Sequence, residues 1–108
     1  MADFATQIDD TQKVLATCTL TKSNGEAVAV TGLTLTQTSG DASFSMVGND
    51  GNALPVEQVF LVSGATDGIS TWDVAIANDF QPATAQLILT VIAGAMSVSF
   101  LFGTPEPK

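Results

Sequence analysis

The 108-residue chain contains no arginine, no histidine and no tyrosine, and it carries only three lysines and one cysteine. Each shortage removes a class of function. Without histidine, neither a Ser/His nor a Cys/His nucleophile pair can be assembled. A zinc site is left without its usual ligands, and neither a metal nor a cofactor is expected. Lys13, Lys22 and Lys108 are scattered, so they form no basic patch for nucleic-acid phosphates or for an anionic membrane surface. Cys18 stands alone, which rules out a disulfide within the chain. It shares its alternation phase with Val14, Ala16 and Leu20 and reads as a small core residue rather than a reactive thiol. The acids are spread over separate turns, so no paired-carboxylate hydrolase is expected, and the chain is read as a non-enzyme.

Eleven acidic residues against three lysines leave a formal net charge of −8. Such a charge keeps copies soluble and sets them against one another. The length is that of one domain, able to bury a single core. The opening MADFATQIDD has three Asp and no basic segment, so no secretory leader is read there. The chain is therefore expected to be made and used without that export, and another route out of a cell, such as inside a virus particle, stays open.

The longest apolar run covers residues 84–102, TAQLILTVIAGAMSVSFLF, inside a charge-free interval between Phe80 and Pro105. A membrane helix needs roughly 20 apolar residues, and this run nearly has them. Its pattern favours two strands. Met96, Val98, Phe100 and Phe102 alternate with smaller or mixed residues at period two. Residues 84–92 are β-branched and nearly continuous in apolarity, as in a strand covered on both faces. Ala93 and Gly94 supply a turn between them.

The rest of the chain also reads as strands. Residues 11–21 alternate cleanly, and Asn24-Gly25 then marks a hairpin of type I′, with positive φ at both central residues. At Gly32 the apolar phase slips from Val28 and Val30 to Leu33 and Leu35, which predicts a bulge. Further strands are read at 33–38, 42–47, 59–62 and 69–77. Trp72 is phased with Val74 and Ile76 and is expected to anchor the core. The turn GNDGN at residues 48–52 has the composition of a calcium loop, but only Asp50 is charged, so it reads as a plain turn.

About seven to eight short antiparallel strands without a helix predict a β-sandwich spanning residues 11–102. Residues 1–10 are read as an N-terminal arm and residues 103–108, GTPEPK, as an extended tail, because Pro105 and Pro107 lack the donors a sheet needs. Five residues are candidates for partner contact. Phe4 and Ile8 are the large apolar groups of the arm, which is either a latch or a frayed end. Phe80 lies on a loop, as a contact or, preferably, as a lid on the sandwich end. Pro105 and Pro107 lie on the tail.

The segment TQKVLATCTLTKSNGEAVAVTG resembles the first two strands of small bacterial and phage immunoglobulin-like domains of the Big-2 kind, through Gln12, Val14, Gly25, Val28, Val30 and Gly32. ATDGISTWDVAIAN is similar to that family's acidic-Gly turn and following strand, through Asp67, Gly68, Val74 and Ile76. The resemblance implies an immunoglobulin-like sandwich acting as an adhesion or virion-surface module, without catalysis or cofactor. The leading expectation is a phage capsid decoration or cement protein whose partner is the major capsid protein or another virion protein, with a homo-oligomer on the particle also admitted. The alternative is an adhesin-type or carbohydrate-binding module, which would call for exposed aromatics, and only Trp72 and Phe80 offer themselves.

Overall fold

The computed structural model describes residues 2–64, 66–92 and 99–108. These residues are all-β. Nine strands follow in order: β1 Ala2–Asp9, β2 Lys13–Thr17, β3 Leu20–Thr21, β4 Ala27–Val28, β5 Val30–Ser39, β6 Ser43–Ser45, β7 Gln58–Val62, β8 Gly68–Asn78 and β9 Ala83–Ile92. One sheet has the order β1-β9-β8-β5, a second has β2-β7-β6, and β3 and β4 form a short hairpin. The two larger sheets face one another as in a β-sandwich. Among the described residues no helix is long and apolar enough to cross a membrane.

Period-two patterning explains which face each strand buries. Along β8, Ser70, Trp72, Val74 and Ile76 turn inward, and along β7 Val59 and Leu61 do so. A first cluster joins Ile8, Ala42, Leu61, Trp72, Leu89 and Val91 from both sheets. Trp72 is 0% exposed at its centre, the expected core anchor. Its indole N–H finds no acceptor among the described residues. A second cluster of Val74, Ile76 and Ala85 packs against the half-buried Cys18, Leu20, Leu33 and Leu87.

Local turn chemistry fixes the connections. The bulge expected near Gly32 is present: the β5–β8 register shifts between Val30 and Gly32, which lets both halves of β5 keep their apolar side chains inward. The Asn24-Gly25 hairpin differs from the type I′ expectation. Only Gly25 has positive φ, at 89°. Lys22 O accepts from Gly25 N at 2.9 Å and Glu26 O from Lys22 N at 2.8 Å, a three-residue loop closed by a glycine bulge. Asn24 then keeps an ordinary φ, and its Oδ1 accepts from Glu26 N–H at 3.0 Å. At the other end of the sandwich, Gly40 (φ 86°) lies against Ser70, and a Cβ there would come within 2.5 Å of the Ser70 Cα. The same turn is latched by Gln37 Nε2, which donates to the Gly40 and Ala42 carbonyls at 2.9 Å each, and by Ala42 N–H donating to Ser70 Oγ at 3.1 Å.

Four expectations are corrected. Residues 2–9 are no free arm: β1 pairs over its whole length with β9, Ala2 opposite Ala85 through Asp9 opposite Ile92. That pairing is parallel, so the strands are not all antiparallel. A strand that enters the sheet beside the final one can run parallel to it because the whole domain lies between them as the crossover. β9 is sealed on one face only, with Ala85, Leu89 and Val91 buried but Ile92 exposed, because among the described residues no second layer covers the outer face of its sheet. Finally, of the strand expected over 95–102, residues 99–102 are in no strand and are exposed. Its remaining positions and the Ala93-Gly94 turn lie outside the described residues.

Candidate functional site

The five candidate contact residues separate into three places. Ile8 faces inward opposite Val91 and is 7% exposed, so it is a core residue and not a contact. Phe4, one helical turn's worth of sequence earlier but on the same strand face, is 58% exposed because the space between the sheets is open at its level. Pro105 and Pro107 are exposed on the C-terminal tail, in no regular structure.

Phe80 sits at the end of the sandwich formed by the β3–β4 turn and the β8–β9 loop. Its position follows from Asn78, whose Oδ1 accepts from the N–H of Phe80 at 2.9 Å and of Gln81 at 3.0 Å, while its Nδ2 donates to the Ile76 carbonyl at 3.0 Å. This side-chain-stabilised turn holds the ring outward and 54% exposed, so Phe80 is not buried under the end of the sandwich. Lys22 Nζ lies 4.6 Å from the Phe80 ring centroid and 3.5 Å from Glu26 Oε2. Between these elements is a shallow hollow of about 400 Å³, bordered by Leu20, Val28, Phe80 and Ala83 among others. Lys13 makes a similar contact, 4.2 Å from the Phe60 centroid, and donates to Asn49 Oδ1. Two of the three cations thus rest on aromatic faces, each worth about 0.5–1 kcal/mol at an exposed site.

The titratable groups serve turns. Asp9 Oδ1 accepts from Thr11 Oγ1 at 2.6 Å and from Thr11 N–H at 2.8 Å, and these bonds hold its carboxyl below the usual range. Asp50 accepts from the Asn52 N–H at 3.0 Å and from Asn52 Nδ2 at 3.2 Å, with the same consequence. Its carboxylate closes the GNDGN turn. Burial pushes the Cys18 thiol up, which makes it a poorer nucleophile at neutral pH. Among the described residues no three His, Cys, Asp or Glu side chains are grouped as a metal site would need.

A larger concavity lies elsewhere and was not read from the sequence. It is a groove of about 570 Å³ between the sheets, opening where β1 and β2 end their respective sheets. Val14, Cys18, Leu33, Val74, Ala85 and Leu87 line much of it, and no charged side chain does. The nearest sequence signal was the apolar alternation of these strands, which does not distinguish a sealed interior from an open one.

The sequence matches no protein-family model, and comparison with curated proteins finds no significant match.

Proposed function

We propose that this chain is a non-enzymatic virion protein with an immunoglobulin-like fold that decorates a phage capsid by surface contact. The observation that carries the reading is the exposed Phe80, held outward by Asn78 at the end of an acidic sandwich and bordered by Lys22 and a shallow hollow of mixed polar and apolar lining. An aromatic anchor with a polar rim suits docking on a protein surface.

The strand layout supports the immunoglobulin-like part. If β2 and β3 are taken as one interrupted strand, and β4 and β5 as another, seven remain. Their sheets then have the B-E-D and C-F-G orders of such sandwiches, with the first strand laid beside the last. The step from that layout to a capsid is one of analogy in kind, since one fold hosts many roles. The carbohydrate-binding alternative is weakened because Trp72 is fully buried and cannot stack on a sugar.

The test is to look for a major capsid gene beside this one and to co-express the two proteins, followed by sedimentation of the assembled shells. The wild-type chain is expected to travel with the shells, and Phe80→Ala, which leaves the core untouched, is expected to weaken that association. Absence of a neighbouring capsid gene, or a folded chain that stays in the supernatant, sinks the proposal.

A further inference from the structure

The interior is sealed around Trp72 but not around Val74 and Ile76, where the groove between β1 and β2 remains open. β2 pairs with β7 on one side and with no strand on the other among the described residues. It therefore presents a row of unsatisfied backbone donors and acceptors along an apolar trench, the template that an extra strand completes.

The same chain carries a segment suited to that place. Phe100, Leu101 and Phe102 are 82%, 100% and 88% exposed, an exposure that three consecutive large apolar residues do not sustain in water without cost. Phe100 and Phe102 fall on one side of an extended segment and Leu101 on the other. The chain exposes 7460 Å², about 1,800 Å² more than a folded monomer of its mass is expected to show. That excess is more than the roughly 800 Å² that each partner gives up in a standard-size interface.

We infer that residues 99–102 of one copy add as a strand to the free edge of β2 in a second copy, with Phe100 and Phe102 entering the groove. The interval from Gln81 to Thr104 has no charge, so it brings none of the repulsion that two bodies of net charge −8 otherwise impose. No lining residue of the groove is charged either. Pro105 and Pro107 lack backbone donors and end the added strand just beyond Thr104. Reciprocal exchange satisfies both grooves and closes a dimer. This pairing does not depend on any capsid: it holds or fails for the purified chain alone.

The experiment compares the full chain with the double variant Phe100→Ser/Phe102→Ser by sedimentation velocity and by maleimide labelling of Cys18. Cys18 is the sole thiol and borders the groove, so it reports occupancy. Both substitutions lie at exposed positions, and far-ultraviolet circular dichroism verifies that the variant keeps its strands. The wild type is expected to be a dimer whose Cys18 labels about tenfold or more slowly than in a monomeric variant, as for a site that reacts only on opening. A monomeric wild type overturns the inference, even if the tail protects Cys18, since that result means back-folding within one chain. A dimer that survives the double substitution, or equal labelling rates in the two proteins, overturns it as well.

Discussion

Replacing Ile8 by alanine separates a structural strand from a docking arm. Ile8 is 7% exposed, lies opposite Val91 in β9 and packs in the cluster that holds Trp72, Leu61 and Leu89. Truncating a buried isoleucine costs about 2–5 kcal/mol, from lost transfer energy and from the cavity left behind. β1 is an edge strand near the chain start and can relax around the gap, so the lower end, about 2–3 kcal/mol, applies. For a domain of this size each kcal/mol moves the midpoint by about 4–8 °C, so Tm should fall by roughly 10–20 °C. Phe4→Ala is the internal control. It lies on the same strand face but is 58% exposed, so its truncation should cost under about 1 kcal/mol. Thermal unfolding followed by circular dichroism, with urea titration to verify an unchanged m-value, measures both. If Ile8→Ala melts within about 2 °C of wild type, or no lower than Phe4→Ala, then β1 is not part of the cooperative fold and the parallel pairing with β9 is refuted.

Three further outcomes follow from the same geometry. Gly25→Ala meets no neighbour and should cost only the positive-φ penalty, about 1–2 kcal/mol, whereas Gly40→Ala adds overlap with Ser70 and should cost about 3 kcal/mol or more; equal melting points for the two would contradict the close approach at Gly40. Hydrogen bonds hold the Asp9 and Asp50 carboxyls below the usual carboxylate range. The stability they contribute is fully present above the unfolded value and is lost as pH falls through the lower folded one. Unfolding curves between about pH 5 and pH 2 should therefore show a shallower acid decline for Asp9→Asn/Asp50→Asn than for wild type, and identical slopes would dismiss the turn bonds as a source of stability. Trp72, at 0% exposure, should emit at short wavelength, resist quenching by iodide and ignore added sugars; a red-shifted, quenchable emission would place it on the surface.

Sequence by itself determined what is local. Alternation put Trp72, Val74 and Ile76 on one face of β8, and the slip from Val30 to Leu33 located the β5 bulge, because side-chain direction in a strand depends only on parity along the chain. The lack of histidine leaves no Ser/His or Cys/His pair to assemble, whatever the fold. Tertiary structure decided what depends on distant partners. Phe4 and Ile8 share a parity and a strand, yet one is exposed and the other buried, because only the Ile8 end of the interior is closed by Leu61 and Trp72. Lys22 and Phe80 meet across 58 positions through two turns whose contact neither turn encodes. Which strands stand at an edge, and hence where the groove opens, is set by the order of pairing across the whole chain, and hydrophobic pattern carries no record of that order.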